Sequence, residues 1–281
     1  MQTLGNDGLK ALIKLLETET ENYGPVLKSA LAAAIKNNPE QVQRVMEEEF
    51  KTSAPRAVLH TLEEICWEDL SAALARFAAK INPDLEEGLT LLSKFTSPTA
   101  ARGDVSAPLD QMAAELRPAL LNAKNYGEIA AVLGHYFFRI RGMVVLQTHV
   151  DVKDISFARF LRKKRGSSLC VACLYACLGQ RYGIDVNLVD LAGRILVHMR
   201  DYALSESLFI DPLDNGKILT EEDCRRYIRA RHIEWNNDFL SPLSSRTIVR
   251  RFIANMIYVL NKMRDERRLK YLREYLEIIK G

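Results

Sequence analysis

Residues 159–216 read RFLRKKRGSSLCVACLYACLGQRYGIDVNLVDLAGRILVHMRDYALSESLFIDPLDNG, and this segment contains the strongest indications of the fold. A basic run stops at Gly166, and the segment 169–180 behind it is apolar on nearly every side, which predicts a buried helix. Gly183 is expected to end that helix, because glycine tolerates the left-handed conformation of a helix C-cap. Three β-like segments follow, separated by turn residues: 185–191, 194–202 and 207–211. We therefore predict one buried helix packed against a small antiparallel meander.

The composition indicates an ordinary folded protein with a sizeable core. Hydrophobic residues make up 48% of the 281 residues, and no run reaches the roughly 18 apolar residues of a membrane span. The N-terminal residues lack the basic and apolar regions of a secretory signal. Five cysteines are an odd number, and three of them cluster in one segment, which is not the layout of a disulfide-stabilised domain. We predict a cytoplasmic protein without membrane contact.

Charge is distributed unevenly along the chain. Residues 1–140 carry 14 Lys and Arg against 19 Asp and Glu, whereas residues 141–281 carry 25 against 17. A basic half can form a nucleic-acid surface, and the basic segments 162–165, 225–231 and 264–273 could contact phosphates. No nucleic-acid-binding signature accompanies them, so a protein partner is the preferred prediction and nucleic acid the weaker alternative. The sequence implies no cofactor and leaves the oligomeric state open.

The remaining segments are predicted to be helical. Residues 1–83 resemble stacked helical hairpins or a simple bundle, with one helix opening at Ala54-Pro55 and a separate helix over 67–79. A loop is expected over 97–108, helices over 109–121 and 126–138, and extended structure or a loop over 139–154. The helices 245–263 and 266–279 should form a hairpin. The predicted domains are residues 1–83, a core over 84–238, and the hairpin 239–281.

Several motifs resemble the transglutaminase-like superfamily, and within it the bacterial SirB-type branch. The matching residues are Arg165-Gly166, Tyr182-Gly183, Gly193, Phe209-Ile210-Asp211-Pro212, Gly216-Lys217-Ile218-Leu219 and Thr220-Glu221-Glu222-Asp223-Cys224. The resemblance implies an α+β, mostly helical fold: a transglutaminase-like core between an N-terminal helical array and a C-terminal hairpin similar to a tetratricopeptide half-repeat. In that superfamily a Gly-x-Cys opens the buried helix, a His lies on the following strands, and an Asp-Pro comes next.

This chain departs from that pattern at two of the three catalytic positions. Ser168 stands where the family's cysteine is expected, and Arg194 stands where its histidine is expected. The nearest thiol is Cys170 and the nearest imidazole is His198, while Asp211 lies at its expected place. The preferred interpretation is a pseudoenzyme, a non-catalytic interaction or regulatory protein. The alternative is a cysteine-dependent acyl transferase or amidase with a shifted triad.

The shifted triad depends on the geometry of Cys170, His198 and Asp211. Cysteine catalysis needs a thiolate, a histidine and a third group that orients the histidine. If the β-turn centres between residues 204 and 205, His198 and Asp211 lie directly opposite each other. If the loop is two residues longer, Asp211 faces Arg194 and forms a salt bridge without acid-base function.

The cysteines of the central helix also allow two other roles. Cys170, Cys173 and Cys177 fit small apolar residues of a packed helix, since free cysteine is among the most buried residue types. Structural zinc needs four ligands, and these three cysteines share one side of a helix without an evident fourth. We therefore predict no metal site.

Overall fold

The structure, a computed structural model, describes residues 5–18, 24–49, 56–148, 151–201 and 206–280. Helices dominate, and the predicted α+β, mostly helical class is confirmed. The helices are α1 (Asn6–Thr18), α2 (Gly24–Asn37), α3 (Pro39–Glu49), α4 (Arg56–Ala79), α5 (Leu85–Thr96), α6 (Gly103–Leu121), α7 (Tyr126–His135), α8 (Phe157–Lys163), α9 (Ser168–Tyr182), α10 (Glu221–Arg229), α11 (Ser245–Met263) and α12 (Glu266–Lys280). The strands are β1 (Val144–Val145), β2 (Arg165–Gly166), β3 (Val186–Leu191), β4 (Arg194–Asp201), β5 (Glu206–Asp211) and β6 (Lys217–Leu219).

Helix α4 corrects the prediction of two separate helices in this region. It runs unbroken for 24 residues, because the segment contains neither glycine nor proline to end it. Its first half, with Val58 and Leu62, packs in a core shared with α1, α2 and α3. Its second half, with Trp67 and Phe77, belongs to the large central core. The predicted start at Ala54-Pro55 lies outside the described residues.

Helix α6 corrects the predicted loop over 97–108. The helix already begins at Gly103 and includes Pro108, where one backbone hydrogen bond is lost. Val105, Leu109, Met112 and Leu116 are buried along one side of α6. Burial of this apolar face outweighs the local cost of the proline.

The sheet is a four-stranded antiparallel meander in the order β3-β4-β5-β6; its first three strands match the predicted meander, and β6 is a fourth that was not predicted. Alternate residues of each strand point to opposite faces, and each face has its own core. One face contacts α9 in the large core through Leu188, Val197, Met199 and Ile210. The other face packs on α10 through Val189, Leu196 and Phe209, which contact Cys224 and Ile228. The sheet therefore separates α9 from α10.

A short parallel pair of strands brings the chain to the start of α9. Strand β1 pairs with β2, so that Val145 lies opposite Gly166. Between them lie a 3₁₀ turn over Val152–Ile155 and helix α8. The segment 139–154, predicted as extended structure or loop, also contains a π-helical turn over Tyr136–Ile140 at its start.

The C-terminal helices α11 and α12 form the predicted hairpin on the core. Tyr275 of α12 is buried and donates a hydrogen bond of 2.8 Å from its hydroxyl to the carbonyl oxygen of Trp67. Phe252 and Met256 of α11 belong to the same large core as α9. The tetratricopeptide-like character of this hairpin and the three domain boundaries stay predictions. Among the described residues, no helix combines the length and apolar character needed to cross a membrane.

Candidate functional site

Helix α9 begins at Ser168, the predicted position of the family's nucleophile. Ser167 is the N-cap residue, and its hydroxyl accepts a hydrogen bond of 3.3 Å from the backbone N–H of Cys170. Gly183 ends the helix in the left-handed conformation, as predicted. Gly166 has to be small, because a Cβ there would lie 3.0 Å from Phe160 Cδ2 and 3.3 Å from the carbonyl oxygen of Asp154. The start of α9 is thus fixed by its neighbours.

Cys170 lies inside the core rather than in a cleft. Its thiol is fully buried, accepts from the Ser167 hydroxyl at 3.3 Å and donates to the carbonyl oxygen of Ile155 at 3.5 Å. Burial raises the pKa of this thiol to about 12, although the hydrogen bonds from Ser167 act in the opposite direction. Cys170 is therefore a neutral thiol at pH 7, and neither of its hydrogen-bond partners is an imidazole.

Cys173 and Cys177 share this environment. Both are fully buried in the large core, and burial raises the pKa of each thiol well above its ordinary value. Within the described ranges no group of three or more His, Cys, Asp or Glu side chains is placed to hold a metal ion. All five cysteines are free and buried. The cysteine cluster therefore fits a packing role.

His198 lies on the face of the sheet that is turned away from α9. It pairs in register with Phe209 and stacks on that ring, with centroids 4.7 Å apart. Its Nε2 lies 3.1 Å from the Ser207 hydroxyl, while Nδ1 is buried and has no partner among the described residues. Burial lowers the pKa of His198 below its usual value. The imidazole is neutral at pH 7 and faces a serine.

Asp211 is held by Arg194. The carboxylate is buried, forms an ion pair with the guanidinium of Arg194, and accepts a hydrogen bond of 3.0 Å from the backbone N–H of Leu213. Burial alone would lower the pKa of Arg194, but the hydrogen bond and charge of Asp211 raise it above the ordinary value. Arg194 therefore keeps its positive charge over the physiological pH range.

The register allows this pairing without dictating it. Val197 pairs with Ile210 and His198 with Phe209, so Asp211 lies opposite Leu196. Arg194 and His198 are then both diagonal neighbours of Asp211, but His198 stacks on Phe209 while the longer side chain of Arg194 reaches the carboxylate. The turn 202–205, on which the sequence argument depended, lies outside the described residues. Of the two candidates, Arg194 and not His198 is the partner of Asp211.

The structure does not bring Cys170, His198 and Asp211 together. Cys170 belongs to the core on the α9 face of the sheet, whereas His198 and Asp211 occupy positions of the opposite face. A sheet between a thiol and an imidazole prevents direct proton transfer between them. The assignment of these three residues as catalytic stays a prediction without geometric support.

Ser168 and Arg194, in contrast, line the same cavity. It has a volume of about 360 Å³ and lies where the β3–β4 hairpin meets the N-terminus of α9. Tyr227, Arg231, Arg251 and Asn255 also line it, and no acidic residue does so within the described part of the chain. Arg251 and Asn255 were not predicted as site residues, because helical periodicity shows which face of α11 is apolar and not which cavity the helix lines.

The comparison with known families agrees with this geometry. The family model described as the transglutaminase-like superfamily matches residues 103–254, just over half of the chain. The match includes α9, the meander, α10 and Arg251 of α11, and it ends one residue before Asn255. The chain belongs to the transglutaminase-like superfamily. No curated protein and no solved structure matches the chain.

Proposed function

We propose that this chain is a non-catalytic member of the transglutaminase-like superfamily and acts by binding. The observation that carries the proposal is the ion pair between Arg194 and Asp211. Arg194 takes the position of the family's histidine, and its guanidinium stays protonated at neutral pH. No general base is therefore available at this position. Ser168 at the nucleophile position lacks a base for the same reason.

The state of Cys170 supports the same proposal. A reactive cysteine needs an electropositive and partly exposed environment, and Cys170 has a buried, apolar one. Its thiol is occupied by Ser167 and by the carbonyl oxygen of Ile155. The alternative enzyme with a shifted triad would require the sheet to open.

The finer family assignment is also a proposal. We infer membership of the SirB-type branch from the motif over Thr220–Cys224, whose first residue caps α10. Thr220 and Asp223 form a capping box, with the backbone N–H of Asp223 3.2 Å from the Thr220 hydroxyl. The motif therefore caps α10 in addition to resembling the SirB-type sequence pattern. Five free cysteines fit a cytoplasmic location, where thiols stay reduced.

Alkylation of the native protein tests the proposal without knowledge of a substrate. The rate at each cysteine is followed by mass spectrometry as a function of pH. We expect Cys170 to react no faster than Cys173, because both thiols are fully buried with raised pKa values. Rapid reaction of Cys170 alone at about pH 6, slowed by His198→Ala, would contradict the proposal and favour the cysteine-dependent enzyme with the shifted triad.

A further inference from the structure

We propose that the cavity between Ser168 and Arg194 binds the phosphate group of a small molecule. The inference rests on the proposed function, since it assigns the family's catalytic positions to ligand binding. The first observation is the charge of the cavity wall. Three guanidinium groups line it, from Arg194, Arg231 and Arg251, and no carboxylate lines it within the described residues.

The three arginines differ in their partners. Arg194 pairs with Asp211, and Arg251 lies 3.1 Å from an oxygen of Asp190 and donates to the carbonyl oxygen of Gly193 at 2.8 Å. Arg231 forms no ion pair with any carboxylate that the structure describes, and its side chain is exposed. The wall therefore carries one positive charge, that of Arg231, without a counter-ion among the described residues.

Two of these cations lie against the same aromatic ring. The guanidinium carbon of Arg194 is 5.2 Å from the centroid of the Tyr227 ring, and that of Arg231 is 4.5 Å from it. The two cations are thus at most about 10 Å apart, a distance at which solvent screening is incomplete. The Asp211 carboxylate offsets the charge of Arg194, so an anion at this wall would be attracted mainly by Arg231. Arg194 Nε is also buried without a hydrogen-bond partner among the described residues.

The start of α9 adds backbone donors to this wall. The first N–H groups of a helix have no intrahelical acceptor, which at this end applies to Ser168 and Leu169. Both residues line the cavity, and the 15-residue helix directs the positive end of its dipole there. Guanidinium forks and free N–H groups together match the oxygens of a phosphate.

The size of the cavity suggests a small molecule rather than a polymer. A volume of about 360 Å³ lies at the lower end of ligand sites and exceeds one phosphate group. A larger cavity, of about 480 Å³, lies between α5, α6 and α8 and is lined by Lys153, Arg159 and Arg162. Asp104 also lines that cavity, so its positive charge is partly compensated by the protein itself.

A titration with inorganic phosphate at constant ionic strength tests the proposal. Binding is followed by the NMR shifts of the backbone amides of Ser168, Leu169 and Gly193. We expect saturable shifts that Arg231→Gln weakens about tenfold, because a charge-assisted hydrogen bond is lost. Arg226→Gln is the matched control: Arg226 is an exposed cation of α10 that does not line the cavity, and its removal should leave the affinity unchanged.

Three outcomes would overturn the proposal. Shifts that do not saturate, equal weakening by Arg226→Gln, or acetate binding as tightly as phosphate would each show that the cavity has no phosphate site. The result is separate from that of the alkylation experiment. A reactive Cys170 beside normal phosphate binding would overturn the non-catalytic function alone, whereas an inert Cys170 without saturable phosphate binding would overturn this inference alone.

Discussion

Arg194 holds Asp211 by a charge that does not change over the physiological pH range. A histidine at this position would exchange a proton and could activate a nucleophile, whereas a guanidinium binds anions. The same side chain reaches the Tyr227 ring and the cavity wall. In the proposed assignment, an arginine at the family's histidine position replaces a proton-transfer group with part of a cationic surface.

Removal of the Arg194 side chain should destabilise the protein. Arg194→Gln leaves the buried carboxylate of Asp211 without its partner, and we expect a loss of roughly 2–3 kcal/mol in the free energy of unfolding. Urea denaturation measures the change. Arg229→Gln is the matched control, because its ion pair with Glu222 is exposed and should contribute below about 1 kcal/mol.

A double-mutant cycle with Asp211→Asn shows whether the two side chains act as a pair. The combined variant should be more stable than the sum of the two single losses implies. Additive losses would mean that Arg194 stabilises the fold through contacts other than Asp211, and that the ion pair itself contributes nothing measurable to stability.

The half-buried imidazole of His198 predicts a pH dependence of stability. Burial lowers its folded pKa below the usual value of 6.5, so the unfolded chain takes up the proton first as the pH falls. The contribution of His198 to the free energy of unfolding is therefore fully present above about pH 6.5 and decreases as the pH falls below that value. His198→Phe keeps the stacking on Phe209 and removes the proton, so its stability should fall less between about pH 6.5 and 5. Parallel pH curves for both proteins would contradict the assignment.

At the scale of single residues, the family resemblance singled out Ser168, Arg194 and Asp211 but left the partner of Asp211 open between Arg194 and His198. The pairing of Arg194 with Asp211 depends on a register, and Arg251 enters the cavity from a helix far along the chain. Neither relation is encoded in local spacing.

At the scale of elements, close packing of α9 against the sheet fixes the site. Gly179 faces β3, and a Cβ at this position would lie 2.8 Å from Val186 Cβ and 3.3 Å from the carbonyl oxygen of Ile184. Backbone atoms and a β-branched side chain cannot move aside as the end of a flexible chain can. The helix is therefore held close to the strand along its last turn.

Substitution of Gly179 should disturb this contact. We expect Gly179→Ala to lower the free energy of unfolding by about 1–3 kcal/mol, as overpacked sites do. Gly103→Ala is a suitable control, since a Cβ there meets no atom within 4 Å and alanine favours the helix. An unchanged urea midpoint for Gly179→Ala would mean that α9 can shift away from β3.

Element positions were predictable where the pattern is local. Helix α9, the meander and the α11–α12 hairpin were placed to within a few residues, because apolar periodicity and glycine or proline ends mark them. The continuous α4 was not, although no glycine or proline interrupts its sequence, and the early start of α6 was not, since burial of its apolar face outweighs the signal of Pro108. The β4–β5 register depended on a turn that sequence alone could not measure.

At the scale of the whole molecule, one core connects the site to the C-terminal hairpin. The large core includes Trp67 of α4, Cys173 of α9 and Phe252 of α11. Tyr271 and Phe95 contact Trp67 with ring centroids at 5.1 Å. The hairpin is thus part of the packing that supports the cavity, and Arg251 and Asn255 extend from it into the wall.

This continuity predicts that damage to the hairpin spreads to α9. Phe252→Ala creates a cavity in the core and should cost about 3–5 kcal/mol. In a Trp235→Phe background, the urea midpoint for alkylation of Cys173 should fall together with that for Trp67 fluorescence, whereas Tyr258→Ala, at an exposed position of the same helix, should shift neither. A lower fluorescence midpoint with unchanged protection of Cys173 would show that the hairpin unfolds independently of the site.

The most direct test of the central claim compares two thiols in one protein. The claim is that positions 168 and 194, rather than 170 and 198, form the family's site and that they form a cationic cavity. In a Ser168→Cys variant, alkylation of the introduced thiol and of native Cys170 is followed by mass spectrometry from about pH 6 to 9. The introduced thiol would lie at the start of α9, in a cavity that Arg194 also lines, and a helix N-terminus and a nearby cation both favour the thiolate. It should react at about pH 6 while Cys170 stays protected. Faster reaction of Cys170 than of the introduced thiol would contradict the account.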